Sequence, residues 1–326
     1  MRCWAISTNG LWITAQEIKK LKTLVLGGCG FLGSHIVDAL VADGLSVRVL
    51  DRVPNRFRSP QTKVEYLFGD WSDHSLLDRA IEQVDTVVHL ISATLPAPSN
   101  QDPQFDIAEN LMRTLHLLDR CVATGVRRIV FASSGGTVYG RPQSLPISEN
   151  HPTDPLNSHG IVKLTIEKYL ALYHQLYGLE YVALRTGNPY GELQDPAGEQ
   201  GFIAVAMGRL LYQQPITIYG SLEVQRDYLY VGDVAQAFLK SACLRNARHI
   251  FNVGSGHGLS LQDLLAKISA ITGRAPEIQI APSRAADVPA NVLNIELIKH
   301  HLNWQPMIDF DIGLERTWQW IKNQFG

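Results

Sequence analysis

The chain has 326 residues, 45% hydrophobic and 18% charged, the composition of an ordinary globular protein able to bury a large core. A formal net charge of -2, with no basic run or basic-aromatic stripe, argues against a nucleic-acid partner. Its four cysteines (Cys3, Cys29, Cys121, Cys243) lack metal-ligand or redox spacing, so reduced cytoplasmic thiols are expected, and no apolar run approaches the ~20 residues of a membrane helix. Residues 1–21 precede the first strand signal. They carry Trp4 and Trp12 but no continuous apolar segment and no small-residue cleavage site, so they do not read as a signal peptide. A start-site artefact and a surface strand particular to this chain both stay open for them.

Thr23 to Leu26 is a short apolar run of the kind that forms a buried parallel strand. It runs into Gly27-Gly28-Cys29-Gly30-Phe31-Leu32-Gly33, and a helical pattern follows from Phe31 to Ala42. Gly27 suits a tight turn, Gly30 a close approach of backbone to a pyrophosphate, and Gly33 close packing of helix on strand. Phe31 and Leu32 open the helix, whose N-terminus favours an anion. The next strand pattern, Val47 to Leu50, ends at Asp51, about 20 residues past the glycines, where a carboxylate binds an adenosine ribose and repels a 2′-phosphate. NAD is therefore favoured over NADP, although Arg52 follows and is able to meet a phosphate.

Strand patterns recur at Val64–Phe68, Thr86–Ile91, Arg128–Ala132 and Tyr181–Leu184, with helical patterns between them. Alternating β and α predicts an α/β fold: a Rossmann-type doubly wound parallel sheet over 22–186. A smaller mixed α/β substrate lobe is expected over 187–326, with some segments returning to the first domain. Asp70 and Trp71 follow the third strand and are expected at the adenine edge. Leu90 and Ser92 end the fourth strand beside the cofactor, where His89 reads as a structural histidine. Leu156 to Tyr177 gives a long helical pattern that carries His159 and Lys163 at i and i+4, on one face.

From Lys22 to about Phe325 the chain resembles the extended short-chain dehydrogenase/reductases, most closely the UDP-glucose 4-epimerase group. The resemblance rests on ordered motifs. They are Gly27-x-x-Gly30-x-x-Gly33, Asn110 in mid-helix, Ser133-Ser134-Gly135-Gly136 through Gly140, Asn188-Pro189-Tyr190-Gly191, Gln225-Arg226-Asp227-Tyr228 and Arg284-Ala285-Ala286-Asp287. It implies Ser134 as the catalytic serine, with Ser133 as rival. It places Lys163 on the nicotinamide ribose and the Pro189 backbone near the nicotinamide. It gives Asn188 and Arg226 to the diphosphate of a UDP-sugar and Arg284 and Asp287 to its nucleotide, and two bidentate guanidinium groups suit a diphosphate. Asn291 falls at a position that gates the sugar pocket. A residue of intermediate size there leaves both UDP-Glc/UDP-Gal and UDP-GlcNAc/UDP-GalNAc open. Relatives pair two helices as a four-helix bundle, so the resemblance implies a homodimer.

One position departs from the pattern. The family carries Tyr-x-x-x-Lys as its acid/base pair, and here His159 stands in the tyrosine's place. A lysine cation beside an imidazole disfavours the imidazolium, so a mostly neutral His159 is expected at pH 7, chemically able to accept a proton. Gly135-Gly136 supplies no carboxylate of the kind that dehydratases and decarboxylases of this fold carry after the serine. Three readings remain: an NAD-dependent 4-epimerase with Ser134, His159 and Lys163 as its catalytic set, an NAD(P)H-dependent 4-keto reductase, and a catalytically weak binder of NAD and a UDP-sugar.

Overall fold

The computed structural model describes residues 21–96, 98–244, 246–283 and 287–326. The N-terminal extension up to residue 20 and Arg284 therefore lie outside the described residues. Strand β1 (Lys22–Leu26) leads through the glycine turn into helix α1 (Phe31–Ala42), then β2 (Ser46–Asp51) and β3 (Val64–Phe68). Helix α2 (His74–Ile81) follows, then β4 (Thr86–His89), the one-turn α3 (Pro103–Asp106), a π-helical stretch (Ile107–Met112) and α4 (Arg113–Thr124). Strand β5 (Arg128–Ser134), helix α5 (Ser158–Tyr177) and β6 (Glu180–Thr186) complete the pattern expected from the alternation.

These strands and β11 (Arg248–Val253) form one sheet in the order β11-β6-β5-β4-β1-β2-β3. Every neighbouring pair in it is parallel. Two apolar layers cover its faces. One contains Ile36, Leu40, Val234 and Phe238, and the other contains Leu77, Leu117, Val162 and Ile166. Strands covered on both faces must be apolar at consecutive positions, which is why β1, β4 and β5 are continuous runs rather than alternating ones.

After β6 the chain makes β7 (Asn188–Tyr190), α6 (Phe202–Leu211), β8 (Ile216–Tyr219), β9 (Gln225–Arg226), β10 (Tyr228–Tyr230) and α7 (Val231–Ala242). Helix α7 packs on the sheet and delivers β11 to its edge beside β6. The remainder is β12 (Leu259–Ser260), α8 (Leu261–Thr272), β13 (Ile278–Ala281), β14 (Ala290–Asn291), α9 (Glu296–Leu302) and α10 (Phe310–Phe325). A third apolar cluster, including Ile203, Met207, Leu264, Leu314 and Trp318, joins α6, α8 and α10. Small pairings then bring distant residues together. β7 lies beside β10, and β14 lies beside β9 with Asn291 opposite Arg226.

Candidate active site

In an open parallel sheet, ligands bind outside the carboxyl ends of the strands where the strand order reverses. Here that crevice lies between β1 and β4, and the glycine turn occupies one side of it. Gly27 has φ +82°, in the left-handed region. A Cβ on Gly33 would stand 2.1 Å from the Gly27 carbonyl oxygen, so helix and turn touch there and only glycine fits. The N-cap of α1, Gly30, offers no side chain to the first N–H groups of the helix, which leaves them for an anion. Asp51 ends β2, accepting the Cys29 N–H at 2.9 Å and the Arg52 N–H at 2.7 Å. These features fit a dinucleotide. Burial, backed by Asp51, pushes the Cys29 thiol up to about 11, so Cys29 packs as a neutral thiol within the turn.

Arg52 is exposed at the rim. Asp70 pairs with Arg113 at 2.9 Å, and hydrogen bonds to Ser72 hold its carboxyl below the usual range. Leu90 donates its N–H to Leu26 and extends the β1–β4 pairing, and Ser92 donates to the Thr94 carbonyl at 3.1 Å. Trp71 departs from expectation. Its side chain is only 5% exposed and packs 5.2 Å from the His89 ring. Facing the core, the indole has no surface for an adenine. His89 is structural as read: buried, hydrogen-bonded to Thr114 at 2.9 Å, and held neutral by burial with its pKa down to about 3.

The chemistry-bearing side chains gather at the first turns of α5. Three acceptors fix that turn: Asn157 caps the Gly160 N–H at 2.8 Å, Asn100 takes Ser158 N–H at 2.8 Å, and Ser99 Oγ takes His159 N–H at 3.1 Å. Satisfied N–H groups at a helix start hold its first turn in place. His159 is buried there, and its pKa is pushed to about 4, first by burial and then by the Lys163 cation. Asp106 and the Thr94 backbone oppose that push. The imidazole is neutral at pH 7. Lys163, also buried, donates to the Ala132 carbonyl at 2.9 Å and lies 4.7 Å from the Phe131 ring centroid. Burial brings its pKa down to about 8.

The two serines of β5 face different partners. Ser133 is buried, and its hydroxyl donates to Glu167 at 2.5 Å. Ser134 is half-buried, and its hydroxyl has no hydrogen-bond partner among the described residues. Ser134 is thus the one free to meet a ligand. Asn291 is buried next to it, donating to the Gly135 carbonyl at 3.0 Å, while its own side-chain oxygen has no partner. Asn188 donates through its amide to the Asp227 carbonyl at 3.1 Å, and Pro189 follows it on β7. Arg226 donates to the Val288 carbonyl at 2.9 Å, and the exposed Asp287 lies within electrostatic reach of it.

A sequence model of the NAD dependent epimerase/dehydratase family matches residues 23–254. The chain belongs to that family. UDP-glucose 4-epimerase from Thermus thermophilus, solved in complex with NAD, is 37% identical with a TM-score of 0.86, covering 93% of this chain and 99% of that one. UDP-glucose 4-epimerase from Thermotoga maritima, solved with UDP-glucose, is 31% identical with a TM-score of 0.88, covering 94% and 100%. The dTDP-4-dehydro-6-deoxyglucose reductase of Escherichia coli is 29% identical over 312 residues, 92% of this chain and 98% of that protein. No helix among the described residues is long and apolar enough to cross a membrane.

Four residues of the cluster escaped the sequence reading: Thr94, Ser99, Asp106 and Glu167. Two had a signal. Glu167 lies four residues past Lys163, and Asp106 four residues before Asn110, so each shares a helical face with a residue already singled out. Thr94 sits in an irregular loop and Ser99 in a single 3-10 turn, Pro98–Asn100, both too short for periodicity to tell which side chain turns inward.

Proposed function

We propose that the protein is an NAD-dependent UDP-hexose 4-epimerase. The observation that carries this reading is the buried, neutral His159 one helical turn from the buried Lys163, near the strand that ends in Ser134. NAD, when bound, supplies the hydride acceptor and donor. His159 takes the proton of the sugar C4 hydroxyl as the C4 hydride leaves. An imidazole reaches roughly 2 Å less far than a phenol, so one water bridges it to the hydroxyl. Ser134 hydrogen-bonds the same oxygen. Lys163 keeps ammonium donors for the nicotinamide ribose beyond the one spent on Ala132. Asn188 and Arg226 hold the diphosphate, Arg284 and Asp287 hold the nucleotide, and Asn291 borders the sugar. The 4-keto sugar turns over, the hydride returns to the opposite face of C4, and the proton returns to O4. Asp51 at the end of β2 favours NAD over NADP.

The test is turnover by the purified protein of UDP-Glc, UDP-Gal, UDP-GlcNAc and UDP-GalNAc with NAD supplied. Interconversion of one C4 pair without net NADH is the expected result. Absence of turnover on all four sugars would overturn the reading. Similarity to the Escherichia coli reductase favours a second reading, NAD(P)H-dependent reduction of a 4-keto sugar nucleotide. That reaction consumes NAD(P)H in proportion to product, which an epimerase does not.

A homodimer belongs to the same proposal. The helical segments around the site leave large apolar side chains in solvent: Met112 at 57%, Ile161 at 53% and Leu176 at 58% exposure, with Leu172 beside them. Ile161, Leu172 and Leu176 lie on α5 and Met112 on the adjoining π-helical stretch, so a second copy would cover one continuous face. Leu172→Arg with Leu176→Arg should convert the dimer to a monomer in sedimentation velocity. An unchanged sedimentation coefficient would place the interface elsewhere.

A further inference from the structure

Asp106 is fully buried at the end of α3. Its Oδ1 accepts from the Thr94 hydroxyl at 2.6 Å and from the Asn110 amide at 2.8 Å. Its Oδ2 is buried with no hydrogen-bond partner. Burying a carboxylate is costly, and leaving one of its oxygens unpaired adds to that cost unless a cation nearby balances the charge. The π-helical stretch begins directly after it, and such insertions gather at functional sites. Asn110, within that stretch, also accepts the Ala93 N–H at 2.8 Å, which ties Asp106 to the loop after β4. Thr94 in that loop reaches both ways. Its hydroxyl serves Asp106, and its backbone carbonyl faces the His159 ring as an acceptor.

The charges around this point are few. Lys163 and His159 lie on α5, with Glu167 one turn further along. Glu167 is already paired with Arg185 at 2.6 Å, and it acts on Lys163 less than Asp106 does. His89 on β4 is buried and neutral. Asp106 is then the uncommitted anion of the cluster among the described residues. We propose that Asp106 is a positioning residue, the counter-charge to the Lys163 ammonium and to the imidazolium that His159 becomes on taking the substrate proton. Without it, the imidazolium would form in a buried site beside Lys163 with no negative charge of Asp106 to balance the two cations. This rests on His159 as the base. No bond to Asp106 forms or breaks: the proton passes from the C4 hydroxyl to His159 and back.

Asp106→Asn tests the assignment, because an asparagine oxygen still accepts from Thr94 and Asn110 while the charge is gone. Two readouts are needed. In lysine labelled with 13C at Cε, the Lys163 titration, near 8 in the parent, should fall by about one unit, tenfold in the ionisation constant. In the UDP-sugar assay, kcat should fall about tenfold with KM nearly unchanged, because the charge matters most once His159 is protonated. An unmoved Lys163 midpoint in a folded variant would overturn the counter-charge. The NMR readout needs no turnover, so a parent protein inactive on UDP-sugars would sink the epimerase reading separately. Asp106→Ala, which leaves room for a water, carries the same two expectations should the asparagine variant not fold.

Discussion

Alanine at position 159 should lower kcat for the UDP-sugar by about 10²–10³, the usual worth of a positioned general base. NAD binding should survive, because the glycine turn, Asp51 and Lys163 are untouched. His159→Gln separates shape from basicity: it fills much of the same space with no titrating nitrogen, and it should be as slow as the alanine variant. The pH profile makes the same point in the parent. His159 must be neutral to accept a proton, and its pKa is pushed to about 4, so activity should rise only at the acid end, through about pH 4. Lys163 must be charged to grip the ribose, and its pKa is brought down to about 8. Activity should therefore fall as pH rises through about 8. The acid limb belongs to His159 and should be absent from His159→Gln. Retention of full kcat by His159→Gln would remove the imidazole from the chemistry and hand the proton to Ser134 or water.

What the sequence made legible follows from what dictates each feature. Continuous apolar runs such as Thr23–Leu26 and Tyr181–Leu184 have one physical outcome when helices cover both sheet faces, and they appear as strands with nearly the expected bounds. The glycine turn was equally readable, because Gly33 has no alternative at 2.1 Å from a carbonyl. Side-chain direction in irregular segments was not. Trp71 follows a strand, as an adenine contact would, yet its ring is buried against His89. Ser133 and Ser134 are adjacent, so pattern alone leaves both as catalytic candidates. Only the position of Glu167 separates them. Arg226 and Asn291 lie far apart in sequence and meet through a pairing of two-residue strands, too short to announce itself. Asp106 shares a helical face with Asn110, but spacing alone does not show that one of its oxygens is buried without a partner.

Glu167→Ala should destabilise the fold by about 3–5 kcal/mol, because it strands a buried guanidinium. Arg185 donates to Glu167 through Nε at 3.0 Å and through its terminal nitrogen at 2.6 Å, and both side chains are almost wholly buried. The pair holds the arginine firmly protonated, so removal of the carboxylate leaves a charge that burial alone cannot neutralise. The same arginine donates to the Tyr139 hydroxyl at 2.9 Å, which in turn donates to Asn252 at 2.6 Å. Damage should therefore spread from α5 through β6 to β11. Urea unfolding measures it as a lower midpoint with a similar slope. The decisive comparison is the double variant Glu167→Leu with Arg185→Met. Replacing both charges by apolar groups removes the stranded cation, so this protein should be more stable than Glu167→Ala alone. Equal loss in both would mean that packing, and not the unpaired charge, sets the cost. Activity should report the same break from the other side. Ser133 loses its acceptor when Glu167 goes, and the end of β5 that carries Ser134 then keeps its pairing to β6 and the contacts of Thr186 and Asn291 with Ser133 and Gly135 carbonyls, but no tie to α5 through Ser133. A double variant that recovers stability but not kcat would show that Glu167 holds the serine strand in register for the chemistry, beyond holding the core together.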